Sequence, residues 1–131
     1  YHAFPYLHTL EMGQALAAAD LAVSRAGAST LGEYPLMGLP AILVPYPYAW
    51  RYQKVNADYL AAQEAAVVLE DAQLTDRLLP AILSLIDQPE ALQHMRQQMQ
   101  SFARPDAAKQ IAVLIEGTAQ VPNQKGKLDH A

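Results

Sequence analysis

The run Ser24-Arg25-Ala26-Gly27-Ala28-Ser29-Thr30-Leu31-Gly32-Glu33 gathers the residue types from which an anion or nucleotide site is built. Gly27 lets the backbone approach a ligand closely, and Ala28, Ser29 and Thr30 can present free N–H groups where a helix opens. At such a helix start the dipole favours an anion by about 0.3–1 kcal/mol. The run has neither the G-K-[ST] ending of a P-loop nor a G-x-G-x-x-G fingerprint. Glu33 has two readings. With Thr30 three residues earlier, its carboxylate fits a capping box and turns back onto its own helix start. Pointed outward, it fits paired hydroxyls such as those of a ribose, at about 1.5–3 kcal/mol per charge-assisted hydrogen bond.

A second concentration of chemistry lies in residues 45–56, P-Y-P-Y-A-W-R-Y-Q-K-V-N, where aromatic side chains adjoin Gln53 and Asn56. An irregular loop at a strand's end is a common place for a substrate site. The same tyrosines and tryptophan also suit a packing or partner-contacting loop, and both readings stand. His2, His8, His94 and His130 show no H-x-x-x-H or H-E-x-x-H spacing, so no metal site is expected. With no cysteine, disulfides, thiolate metal sites and cysteine nucleophiles are excluded. Ser24 and Ser29 lack the context of a nucleophile elbow.

Short apolar runs alternate with helical stripes, and this alternation is what must position those residues. Residues 3–7 read as a short extended piece, with Pro5 keeping them out of a helix. A helix follows over 10–19, carrying Leu10, Met12, Leu16 and Ala19. Residues 21–24 have the length of a buried parallel strand. Gly27 marks a turn and a helix resumes near Ser29, with Pro35 implying a kink or a short first turn. Gly38 and Pro40 stop that helix ahead of a second strand, 41–44. A helix over 53–63 carries Val55, Tyr59 and Leu60, and a third strand occupies 66–69.

From Thr75 the pattern is helical only. Thr75 is read as the cap of a helix burying Leu78, Leu79, Ile82, Leu83 and Ile86. Pro89 suits a first helical turn, and Leu92, Met95, Met99 and Phe102 recur at helical spacing. Asp106 precedes a last helix whose apolar side is Ile111, Leu114 and Ile115. The expected architecture is an α/β fold, a Rossmann-like parallel sheet with flanking helices and a C-terminal helical segment. Residues 1–116 form the domain, and 117–131 read as a polar, disordered tail.

The chain has 131 residues, 52% of them apolar and 17% charged, which excludes an intrinsically disordered protein. A formal net charge of −4 argues against a nucleic-acid partner, whose phosphates demand lysine and arginine. No apolar run approaches the ~20 residues of a transmembrane helix. The chain begins at Tyr1 with no charged segment ahead of an apolar core, and reads as a piece of a longer protein rather than one opening on a signal peptide.

Three blocks, A-D-L-A-V-S-R-A-G-A-S-T-L-G-E, G-L-P-A-I-L-V-P-Y-P and Y-Q-K-V-N-A, closely resemble the C-terminal domain of the MurG family. These are UDP-N-acetylglucosamine:N-acetylmuramyl-(pentapeptide) pyrophosphoryl-undecaprenol N-acetylglucosaminyltransferases. The Glu33, Gly38 and Pro40 spacing also resembles the wider GT-B glycosyltransferases. The resemblance implies that this chain is the donor-binding half of a two-domain enzyme. UDP-GlcNAc is then a substrate, and no cofactor is needed. By position, Glu33 takes the ribose hydroxyls, Ala28, Ser29 and Thr30 line the diphosphate and ribose, and Leu31 and Gly32 complete the turn. Gln53 matches a glutamine on the GlcNAc hydroxyls, and Leu7 an apolar residue beside the uracil. The implied reaction is inverting transfer of GlcNAc to lipid I, giving lipid II for peptidoglycan. It takes place at the cytoplasmic face of the bacterial membrane, with acceptor and peripheral membrane contacts supplied by the other half.

Tyr48, Trp50, Tyr52 and Pro35 depart from the residues usual in that family, and no catalytic residue is assigned here, so the chain alone is expected to be inactive. The competing readings are a related glycolipid transferase, a UDP-GlcNAc epimerase of similar fold, and a non-catalytic α/β interaction module whose aromatic loop meets a partner.

Overall fold

Three short triplets, two of them wholly apolar, form the strands β1 (Ala22–Ser24), β2 (Ala41–Leu43) and β3 (Ala66–Val68), and the helices fall before, between and after them. The computed structural model describes residues 1–48 and 52–119. Helix α1 (Thr9–Ala18) precedes β1, while α2 (Thr30–Met37) and α3 (Tyr52–Ala61) are the two crossovers of the sheet. A 3-10 turn (Asp71–Gln73) leads to α4 (Leu74–Ile86), α5 (Pro89–Ser101) and α6 (Ala107–Ala119).

The strands run parallel in the order β1-β2-β3, with Ala22 opposite Ala41 and Ala41 opposite Ala66. Because side chains alternate across a strand, this register sorts them into two layers. Ala41, Leu43 and Ala66 face a cluster with Tyr34 of α2, Ala57 and Leu60 of α3, and Met99 of α5. Ile42, between them, faces the other way and meets Leu74, Leu78, Ala81, Ile82 and Leu85 of α4. Both crossover helices therefore lie on one face and α4 on the other, so the parallel sheet is flanked by helices as expected. The central strand is wholly buried, as a parallel strand covered on both faces must be.

Helix α2 is bracketed chemically. Its first turn is tight: Thr30, Leu31 and Gly32 donate to the carbonyls of Gly27, Ala28 and Ser29, three residues back. Pro35 sits inside it, fully buried, without breaking it. It ends at Gly38, whose φ of 59° is the left-handed conformation that glycine adopts freely. The N–H groups of Gly38 and Leu39 close the end on the carbonyls of Pro35 and Tyr34.

Several expectations are corrected. Residues 3–7 are irregular backbone, not a strand, since among the described residues no neighbouring strand pairs with them. Helix α4 starts at Leu74, so Thr75 lies inside its first turn; the preceding Glu70 N–H is held instead by the Gln73 side chain. Leu79, Leu83 and Ile86 are exposed, because the sheet takes only the Leu74, Leu78, Ile82 and Leu85 stripe. Val55 and Tyr59 are likewise exposed on α3, where Ala57 and Leu60 are buried. Ile111, Leu114 and Ile115 of α6 are exposed as well. That helix continues through Gly117 to Ala119, and the rest of the expected tail lies outside the described residues.

Candidate functional site

The β1–α2 loop leaves the sheet at the carboxyl end of β1, where open α/β sheets place their ligands. Its outer side chains are small, and its inner backbone is tied down. The carbonyl of Arg25 accepts from Thr30 Oγ1 at 3.3 Å, and that of Ala26 accepts from Asn56 Nδ2 at 3.0 Å. Tyr34 of α2 donates to Ser24 Oγ at 2.9 Å, joining the helix to the end of the strand. Arg25 spans the sheet end: its guanidinium donates to the Val44 carbonyl, pairs with Asp71 and lies over the Tyr46 ring.

Of the N–H groups expected to be free, that of Thr30 is not, since it donates to Gly27 at 3.2 Å. The N–H groups of Gly27, Ala28 and Ser29 have no acceptor among the described residues. Ala28 and Ser29 are exposed, Thr30 is buried and Leu31 is half-buried against the core, so the outward surface is Gly27 to Ser29 followed by Gly32.

Glu33 is not a capping residue. Ser29 stands at the cap position with helical φ and ψ and no side-chain capping bond, and Thr30 Oγ1 turns to Arg25 instead. The Glu33 carboxylate is exposed and has no hydrogen-bond or ion-pair partner among the described residues. It borders a cavity of about 360 Å³ lined also by Tyr6, Leu7, Met12 and Leu36. Leu7 and Glu33, far apart in sequence, thus share one cavity. Helix α1, whose start is anchored by Glu11 accepting from the His8 N–H at 2.9 Å, forms its far wall.

Gln53 lies elsewhere, on the first turn of α3, half-buried, with Oε1 accepting from the Tyr46 N–H at 2.9 Å. That bond leaves its amide N–H₂ as the group able to meet a ligand. Tyr48 and Tyr52 are both exposed, Tyr48 edge-on to Tyr46 at 5.6 Å, while Trp50 lies outside the described residues. A groove of about 610 Å³ beside this loop is lined by Tyr46, Lys54, Asp58 and Glu70. There Asp58, through a hydrogen bond and then its charge, holds the Lys54 ammonium above the ordinary lysine range. No cluster of three or more histidine, aspartate or glutamate side chains suited to a metal occurs among the described residues. Sequence reasoning gave no role to Arg25 or to the side-chain bonds of Asn56 and Tyr34, because these join residues distant in the chain.

Residues 1–111 match the glycosyltransferase family 28 C-terminal domain. The chain belongs to this family. It is 46% identical, over 88% of its length and 30% of the other's, to the Roseiflexus sp. (strain RS-1) UDP-N-acetylglucosamine--N-acetylmuramyl-(pentapeptide) pyrophosphoryl-undecaprenol N-acetylglucosamine transferase. The protein of the same name from Desulforamulus reducens is 45% identical, over 86% of this chain and 30% of that one. The crystal structure of Acinetobacter baumannii MurG superposes with a TM-score of 0.76 at 29% identity, covering 87% of this chain and 33% of that one. The chain therefore spans about a third of the length of the family 28 relatives it matches.

Proposed function

We propose that this family 28 domain holds UDP-GlcNAc for an inverting transfer of GlcNAc to lipid I, yielding lipid II for peptidoglycan. The observation that carries the reading is the Glu33 carboxylate, without a partner among the described residues, four to six residues after three N–H groups that likewise meet no acceptor there, and beside the Leu7 cavity. In this reading Glu33 accepts from the ribose hydroxyls, Leu7 packs on the uracil, and the backbone of Gly27, Ala28 and Ser29 faces the diphosphate. Thr30 and Leu31 support that turn from its inner side, and Gly32 keeps its outer side open. As the glycosidic bond breaks, negative charge grows on the UDP leaving group, and fixed N–H donors stabilise it without reorganising. Gln53 offers its amide N–H₂ to the sugar hydroxyls. The acceptor, the base and the peripheral contact with the cytoplasmic face of the membrane belong to the part of the protein outside this chain. No helix among the described residues is long and apolar enough to cross a membrane.

The test is turnover by the intact protein with lipid I and either UDP-GlcNAc or UDP-glucose. Lipid II formed with UDP-GlcNAc in strong preference supports the reading. Transfer to another lipid, epimerisation of the donor without transfer, or binding of no nucleotide sugar each overturns it.

A further inference from the structure

Helix α3 reaches back to both loops at the carboxyl end of the sheet. On one turn Gln53 Oε1 holds the Tyr46 N–H; three residues on, along the same helix face, Asn56 Nδ2 holds the Ala26 carbonyl at 3.0 Å. Ala26 is fully buried and Asn56 half-buried, so water competes poorly for this bond.

The bond has a geometric consequence. The carbonyl of Ala26 and the N–H of Gly27 belong to one planar trans peptide, so they point in opposite directions. Holding the carbonyl toward Asn56 aims the Gly27 N–H away from α3; like those of Ala28 and Ser29, it meets no acceptor among the described residues. Glycine at 27 would otherwise let this peptide rotate, since its φ is unrestricted by a side chain. We propose that Asn56 is a positioning residue of the donor site, acting through Ala26 to fix the direction in which Gly27 presents its N–H to the donor diphosphate. This rests on the donor-site reading above. Asn56 needs no contact with the ligand.

The test uses Asn56→Asp and Asn56→Ala in the intact protein, with UDP-GlcNAc affinity measured by calorimetry at pH 7.5 and pH 5, each relative to the unaltered protein. An ionised carboxylate cannot donate and sets an acceptor against the Ala26 oxygen, whereas a protonated one restores an O–H donor. A carboxyl group facing a carbonyl in a half-buried place protonates more readily than usual, which brings this change within reach of pH 5. At pH 7.5 both variants are expected to bind about 3–10-fold more weakly, the size of one neutral hydrogen bond. At pH 5 the Asn56→Asp deficit narrows and the Asn56→Ala deficit does not.

A role confined to stability would lower the melting temperature of both variants and leave the affinity of the folded protein unchanged at both pH values, which overturns the proposal. An Asn56→Asp deficit that ignores pH also overturns it. Failure of the unaltered protein to bind UDP-GlcNAc removes the donor-site reading itself, and the positioning role with it. If Asn56→Asp does not fold, Asn56→Ser serves in its place: it keeps a donor too short to reach, and wild-type affinity there refutes the proposal.

Discussion

Glu33→Gln separates a ligand-binding carboxylate from a helix-stabilising one. The side chain is exposed and bonded to nothing among the described residues, so the fold draws from it only its charge in the first turn of α2. Losing that interaction with the helix dipole costs about 0.3–1 kcal/mol. Binding should suffer more. A carboxylate accepting from both ribose hydroxyls makes two charge-assisted bonds of about 1.5–3 kcal/mol each. Exposure favours the lower figure, and the glutamine amide retains one acceptor oxygen, so the net loss is about 1.5–3 kcal/mol, or roughly 10–100-fold in Kd. Calorimetric titration with UDP-GlcNAc and its 2′-deoxyribose analogue reads this directly. The unaltered protein should prefer the ribose form, and Glu33→Gln should show a smaller preference, since its amide oxygen still accepts one bond. A variant that binds UDP-GlcNAc as tightly as before, or discriminates ribose from deoxyribose as strongly as the unaltered protein, refutes the assignment. A capping role would show the reverse: a clear loss of stability with affinity intact.

Gly38→Ala should destabilise the fold by about 1–2 kcal/mol, since its φ of 59° is unfavourable for any residue with a Cβ. The added methyl would also lie 2.6 Å from Gln100 Cγ, which clears it only by a change of rotamer at the base of that side chain, so urea denaturation should show a loss at or above the upper end of that range. The Lys54 ammonium is held above the ordinary lysine value of 10.5, chiefly by its hydrogen bond to Asp58. A base raised on folding adds stability that is complete below the unfolded value and lost as pH climbs through the folded one. Lys54→Met should therefore be slightly less stable than the unaltered protein at pH 7, with the gap closing well above pH 10.5 in urea melts. A gap that persists there assigns the effect to packing of the lysine stem.

The fold was legible where a residue type settles its own backbone. Pro40 after Gly38, Pro89 at a helix start, and the all-apolar run at Ala41 each declare a boundary or a buried strand whatever surrounds them. The sequence was silent where the answer depends on what lies opposite. Leu79, Leu83 and Ile86 continue a sound helical stripe, yet among the described residues the sheet is three strands wide and three residues long, and its face is filled by the neighbouring stripe of α4. Residues 3–7 had extended chemistry and, among the described residues, no strand to pair with. At the site, the small residues and glycine of 26–29 were visible as a loop that could face an anion. Whether Glu33 caps its own helix start depended on the φ and ψ of Ser29, which no local pattern declares. The bonds from Asn56, Tyr34 and Arg25 join positions 10 to 46 residues apart, and no local pattern encodes them.

Pro35 and Gly38, in the interior and at the end of one short helix, also govern how much disorder a ligand would have to remove. A buried proline cannot shift along the helix register, because it has no N–H to exchange between carbonyl partners. The left-handed glycine three residues later fixes where the chain must turn. Between the tight first turn and this pair, α2 has no room to rotate or lengthen, and Glu33 is held at one angular position on it. Binding then costs little conformational entropy on the protein's side, apart from the Glu33 side chain itself. The same rigidity makes the site intolerant of drift: an insertion or deletion anywhere between Ser29 and Gly38 would carry the carboxylate off its face, about 100° of rotation per residue.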